Sequence, residues 1–237
     1  MQPDFLLPAE WLAREPLSAS EQLFVVFSNA SEAKPLEAWP EMASPIWAET
    51  IYAEWDAVMP YVGIVAADSE FLHWVATTES QDWGWLAVSS ASLEEVVAHF
   101  RSLTQVLMPG GKTVFFRFWD GRFLLPILQA DKVDAAQLFT LIGRCLINGQ
   151  ALEISGRAQV SGRAFPWWQV PASVLAQQGN DVRTANALQW LSEEHPTLFE
   201  AFSEAVLRCK VRRFFHVSMS EESSRSALLA FLLAESE

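Results

Sequence analysis

The sequence predicts an α+β protein, a mixed α/β fold in which a mixed sheet is flanked by helices and followed by a C-terminal helical lobe. Three observations carry this class. Short β-branched and aromatic runs alternate with amphipathic helical stretches through the first two-thirds of the chain. Two glycine-bearing turn signals, Pro109-Gly110-Gly111 and Asn148-Gly149, sit between apolar runs. From about Pro166 onward only helical patterns remain. The division expected is 1–150 as a mixed α/β domain and 151–237 as a hairpin and linker leading into the helical lobe, with the boundary near 150–170.

In chain order, "QLFVVFS" at 22–28 has the composition of a buried strand, and "PYVGIV" at 60–65 and "DWGWLAVS" at 82–89 have the same character. Between the last two, Phe71, Leu72, Val75 and Ala76 fall on one helical face. "SLEEVVAHFRSL" is the clearest helix. Ser92 can cap it, Glu95 can close a capping box, and Leu93, Val96, Val97, Phe100 and Leu103 form an apolar stripe that needs a sheet to cover it. "TQVLMPGGKTVFFRFW" predicts a hairpin whose second strand leaves the sheet at Asp120-Gly121, with "RFLLPILQ" as a short helical turn interrupted by Pro126.

Alternation along that second strand puts Phe116 and Phe118 on one face and Phe115, Arg117 and Trp119 on the other. A buried Arg117 would then need a paired carboxylate, and Asp120, just beyond the strand end, is near enough to pin the corner, with Arg122 in reach of the same carboxylate. "VDAAQLFTLIG" predicts a helix capped by Asp134 and closed by Gly143, and the Asn148-Gly149 signal predicts a second hairpin that would close the sheet. The echo "SGRA" at Ser155–Ala158 and Ser161–Ala164 is too short to indicate a repeat architecture. Three helices follow. One is capped by Asn180 or Asp181. The second starts with Pro196 at its first position and places Leu198, Phe199, Phe202, Ala205, Val206 and Cys209 on one face. "SEESSRSALLAFLLAE" ends the chain as the third.

The 237 residues are 51% hydrophobic and 19% charged, with 16 Phe and 11 Trp, a composition that folds rather than stays disordered. The net charge of −13 argues against a phosphate-backbone binder, so no nucleic acid partner is expected. Residues 1–149 carry −11 of that charge and the remainder −2, so a charge-steered partner of the first part should be basic. "MQPDFLLPAEWLAREP" lacks the pattern of a secretory signal, and no apolar run reaches the ~20 residues of a membrane span, so a soluble cytoplasmic protein with no membrane partner is expected. Cys145 and Cys209 match no metal spacing and lie in apolar runs, which predicts two buried, unreactive thiols.

No nucleophile elbow, P-loop, dinucleotide fingerprint, zinc-protease helix or calcium loop is present in the sequence. His73, His99, His195 and His216 are scattered singly, and Glu94-Glu95 and Glu193-Glu194 diverge on their helices, so no metal, no cofactor and no catalytic residue is assigned. Most of Trp47, Trp55, Trp74, Trp83, Trp85 and Trp119 fit core positions. Trp167 and Trp168 stand apart in the proline-bounded "FPWWQVP" and, if exposed, would anchor a partner. "RCKVRRFFHV" is the one basic cluster. Arg212, Arg213, Phe214 and Phe215 suit either a solvated helix end followed by core residues or a partner interface.

Taken together, Ser69-Glu70-Phe71-Leu72, Trp83-Gly84-Trp85, Ser89 to Leu103, Gly110-Gly111 and the stretch Phe116 to Arg122 resemble, in order and spacing, a domain-of-unknown-function family whose members act as type VI secretion effector chaperones, also called adaptors. The resemblance spans about 22–147. Trp119 stands where the family has Tyr, Gly121 where it has Pro, and the strand at 22–28 lacks the typical start. The resemblance makes Arg117, Asp120, Arg122, Trp83 and Trp85 a structural family motif. It implies a cytoplasmic, non-enzymatic protein that binds a cognate toxic effector and promotes its loading onto the valine-glycine-repeat (VgrG) spike. Two other classes stay open at this point, a hydrolase using a polar cluster around Asp120 and a Trp-rich carbohydrate-binding module.

Overall fold

The computed structural model describes residues 5–31, 43–130, 132–154, 165–217 and 224–234, so the "SGRA" echo lies outside the described residues. The chain divides into two compact units, Met1–Pro171 and Ala172–Glu237.

In the first unit, helix α1 (Pro8–Arg14) precedes strand β1 (Gln22–Ser28), the two-residue strand β2 (Ser44–Pro45) and β3 (Pro60–Ile64). Helix α2 (Glu70–Thr77), strand β4 (Trp85–Ser89) and helix α3 (Leu93–Ser102) follow. A ribbon of β5 (Gln105–Leu107) and β6 (Thr113–Phe115) leads to helices α4 (Gly121–Leu128) and α5 (Ala135–Leu138), and the hairpin β7 (Arg144–Ile147) and β8 (Gln150–Glu153) comes last. The six-stranded sheet has the order β2-β3-β1-β4-β7-β8. Its pairings are antiparallel throughout, where the sequence reading named a mixed sheet. Since β3 and β4 are both antiparallel to the central β1, they run in the same direction and need a crossover, which α2 supplies.

The α+β class with a sheet flanked by helices is what the structure has. β1 is buried at every position after Gln22, which is why its sequence shows a continuous apolar run instead of an alternation. Leu23, Val25 and Phe27 join Leu86, Val88, Leu146 and the helix residues Trp11, Leu12, Phe71 and Leu72 in one core layer. On the opposite face Trp85 stacks on Phe139 at 5.2 Å and meets the Phe100 ring of α3 edge-on at 5.6 Å.

The α3 capping box is formed. The Ser92 hydroxyl accepts from the Glu95 amide, and the Glu95 carboxylate accepts from the Ser92 amide at 2.8 Å. Asp134 caps α5 as expected, but the helix is a single turn. Gly143 instead donates its amide to Val88, entering the sheet. The ribbon β5–β6 turns at Gly111, whose φ of +78° is the left-handed conformation the turn requires. This ribbon stands apart from the main sheet, and Leu107 forms a parallel bridge with Gln169. The Asn148-Gly149 hairpin adds β8 at the sheet edge, both turn residues having positive φ.

Two features were not anticipated from sequence. Helix α1, with Pro8 at its first turn, buries Trp11 against the sheet. Buried Arg144 donates to the Glu15 carbonyl at 2.5 Å and lies 5.1 Å from the Trp11 ring, putting a cation at the C-terminal end of α1. Opposite Arg144, burial and then the neighbouring Glu15 push the Glu153 carboxyl above its usual value, with Arg144 working against both.

The second unit consists of α6 (Ala172–Glu194), α7 (Pro196–Glu200), α8 (Glu204–Val217) and α9 (Ser224–Ala234). Helix α6 runs on through the expected cap at Asn180 or Asp181 and begins at Ala172. The single helix expected after Pro196 is two, broken at 201–203. The break changes the buried face. Leu207 and Val211, with Leu188, Leu191, Leu228 and Leu232, form the core, while Ala205, Val206 and Cys209 are exposed. Cys209 therefore corrects the expectation of two buried thiols. Cys145 is buried, and burial drives its thiol pKa far above the ordinary value.

Candidate functional site

The stretch Phe116 to Arg122 forms a braced corner. Strand β6 ends at Phe115, earlier than expected, yet alternation continues. Phe116 and Phe118 are buried, Phe115 is exposed, and the Arg117 side chain keeps 49% of its surface in water. Trp119 breaks the rhythm by turning inward. The buried charge is thus Asp120, 1% exposed, and not Arg117.

Asp120 is also the N-cap of α4. Its Oδ1 accepts from the Arg122 amide at 3.0 Å and from Arg122 Nε at 3.1 Å. Its Oδ2 accepts from Arg117 Nη2 at 2.7 Å and Arg122 Nη2 at 2.9 Å. Four donors fill the roughly four acceptor positions a carboxylate has. The Arg117 guanidinium lies 4.6 Å from the centre of the half-exposed Phe123 ring.

Arg122 carries the brace to the sheet. Its Nη2 is 3.2 Å from Asp82, whose carboxylate also accepts from the Ser80 hydroxyl at 2.6 Å and the Ser31 hydroxyl at 3.2 Å. Asp82 opens the segment Trp83-Gly84-Trp85. Residues two apart on a strand share a face, but Trp83 packs on Phe71 and Trp74 in one core layer while Trp85 packs on Phe100 and Phe139 in the other. Gly84 makes the switch possible. Its φ is +136°, and a Cβ there would collide with the Val26 carbonyl.

A continuous series of ring contacts runs from this core to the surface. Phe100 stacks on Phe118 at 5.2 Å, Phe118 meets Trp119 at 5.1 Å, Trp119 meets Trp47 at 5.5 Å, and Trp47 meets Trp55 at 6.3 Å. Trp47 is fully buried and its Nε1 donates to Thr104 at 2.9 Å. Trp55, placed in the core by its sequence context, is 47% exposed. It belongs to a run of overlapping turns in which Thr50, Ala53, Trp55 and Val58 each donate their amide three residues back. These turns gather Tyr52, Trp55 and Phe115 into mutual contact at 5.0–5.4 Å, and the Tyr52 hydroxyl accepts from Gln105 at 2.7 Å. Ile51, beside them in sequence, is 87% exposed. Glu54 and Asp56 flank Trp55 and are exposed.

The residues singled out from sequence for binding are distributed differently. Trp168 is buried against Phe116 at 5.3 Å, so it belongs to the core and lacks the exposure expected of a partner anchor. Trp167 is half-buried and donates to the Ser102 hydroxyl at 3.0 Å. Arg212 and Arg213 are exposed on α8, whereas Phe214 and Phe215 pack partly buried on the core of the second unit. The patch around Trp55 was missed because its residues have the same composition as a core segment. A cavity of about 260 Å³ lies between the N-terminal segment and the end of α2, lined by Phe5, Leu6, Val75, Trp83 and Asn148 among others. Among the described residues no group of three or more His, Cys, Asp or Glu could hold a metal ion, and no helix is long and apolar enough to cross a membrane.

No curated protein and no solved structure matches the chain. A family model described as a domain of unknown function (DUF4123) matches residues 23–138. That span begins in β1 and ends with α5, and so contains the brace, the Trp83-Gly84-Trp85 switch and the aromatic patch. Residues 23–138 are therefore a DUF4123 domain, of the family that occurs in type VI secretion effector adaptors.

Proposed function

We propose that this protein is a type VI secretion effector adaptor, which holds a cognate toxic effector in the cytoplasm and promotes its loading onto the VgrG spike. The observation that carries the proposal is the DUF4123 domain at residues 23–138. Its action is binding alone: burial of apolar effector surface, with charge complementarity choosing the partner. The surroundings of Asp120 support a binding role over hydrolysis, since its carboxylate is saturated by two guanidinium groups and an amide and would have to break the corner to accept a further proton.

Within this reading, the DUF4123-containing unit meets the shared delivery machinery and the C-terminal helical unit contributes to effector choice. Co-expression with a type VI effector and VgrG encoded beside it is the test. The full chain is expected to co-purify with both, and a chain ending at Pro171 to retain the spike and lose the effector. Failure of the full chain to retain either partner would reject the adaptor assignment.

A further inference from the structure

Tyr52, Trp55 and Phe115 pack on the Trp47 ring and, with Ile51 beside them in sequence, still leave an apolar surface in water. A ring recruited only to complete a core ends buried, as Trp47 does one contact below it. Trp55, Phe115 and Val58 instead keep 47%, 40% and 38% of their surface in water, and Ile51 keeps 87%. The rings are nevertheless held in place. Trp55 touches Tyr52 at 5.2 Å and Phe115 at 5.4 Å, Tyr52 is tied by its hydroxyl to Gln105, and Trp47 underneath is tied to Thr104. Rigid aromatic side chains fixed before binding lose little entropy on contact, the property of residues that dominate binding energy.

Carboxylates flank the centre of the patch. Glu54 and Asp56 flank Trp55, and among the described residues neither has an ion-pair partner. Glu49 is also exposed, and its charge is met by Arg101 at 2.9 Å. An apolar centre with a carboxylate rim complements a segment of the opposite layout.

From this we infer that the Ile51–Trp55–Phe115 patch is a docking site for a protein segment with aliphatic or aromatic side chains at its centre and lysine or arginine at its flanks. The inference deepens the adaptor reading and rests on it in taking the occupant to be a protein.

The test uses the full chain and fluorescein-labelled 12-residue peptides, read by fluorescence anisotropy. One peptide has a leucine-phenylalanine centre with lysine flanks, the second keeps the centre with glutamate flanks, and the third keeps the lysines around a serine centre. The first is expected to bind at least tenfold more tightly than either other. Ile51→Glu and Trp55→Ala should each weaken it tenfold or more. The double change Glu54→Lys with Asp56→Lys should transfer the preference to the glutamate-flanked peptide. Ile51 is nearly fully exposed, so its variant should melt with the wild type by circular dichroism and separate lost binding from lost folding.

Equal binding of all three peptides, or binding untouched by these variants, overturns the inference. So does a wild-type dimer in sedimentation that Ile51→Glu dissolves, which would make a second copy of the chain the occupant. If an intact type VI effector and VgrG each bind wild type and Ile51→Glu alike, the patch assignment falls and the adaptor reading stands. If neither binds while the lysine-flanked peptide binds through Ile51 and Trp55, the patch stands and the adaptor reading falls.

Discussion

Asp120 accepts hydrogen bonds on both carboxylate oxygens while almost wholly buried, and its two guanidinium partners keep 49% and 46% of their side-chain surface in water. That asymmetry decides how the corner responds to mutation. Removing the carboxylate frees the cap of α4 and both arginines, costing about 3 kcal/mol by the scale of buried charge-assisted contacts. Removing Arg117 leaves Arg122 and the cap in place, and a half-exposed ion pair contributes about 1 kcal/mol or less. Urea unfolding of Asp120→Ala and Arg117→Ala should therefore separate them by about 2 kcal/mol, the aspartate variant being the weaker. The pairing of these three residues was legible in the sequence, because opposite charges two and three positions apart at a turn can meet. Which of them is buried was not legible. It depends on the strand ending at Phe115, two residues before Arg117, a boundary set by the short ribbon and not by local composition.

Helix α3 was the element most fully written in the sequence, with both its capping box and its apolar stripe recovered. Hydrogen bonds from the Ser92 amide and then its hydroxyl hold the Glu95 carboxyl below the usual range. A carboxylate favoured in this way stabilises the fold above its unfolded pKa, and the contribution disappears as pH falls through the lowered folded value. The difference in melting temperature between wild type and Glu95→Gln should accordingly be present at pH 7 and shrink progressively as the pH falls below the ordinary carboxylate range, with Glu95→Gln melting lower at neutral pH. Other elements were less legible. The break between α7 and α8 moved the buried stripe from Ala205, Val206 and Cys209 to Leu207 and Val211, because interrupting a helix resets the phase of everything after it. Trp83 and Trp85 occupy opposite core layers through a backbone torsion at Gly84, which no side-chain pattern encodes.

Across the whole molecule the charge is −13, and residues 1–149 hold most of it. Like charges repel more in a compact state than in an extended chain, so the fold carries an electrostatic strain that mobile ions relieve. Raising sodium chloride from 10 to about 150 mM shortens the screening length from about 30 to about 8 Å and should raise the melting temperature by a few degrees. A chain stabilised mainly by exposed ion pairs would move the other way. From Ala172 on the described elements are helices that close a core of their own, with Leu188, Leu191, Leu207 and Leu228 among its members, without the sheet. The aromatic patch was not visible at that scale. Its residues have core composition, and only the overlapping turns after Trp47 leave them outside.

Those turns also make this part of the molecule report on itself. Trp47, Tyr52, Trp55 and Phe115 lie with ring centres 5.0–6.3 Å apart in tilted and edge-on orientations. Electronic transitions of chromophores held that close and at fixed angles mix, giving a signed near-ultraviolet dichroism that isolated rings lack. A molecule settling on Trp55 would alter the coupling with no dye attached. The wild-type spectrum minus that of Trp55→Ala isolates the signal from the remaining tryptophans, so the state of this surface can be followed by light alone.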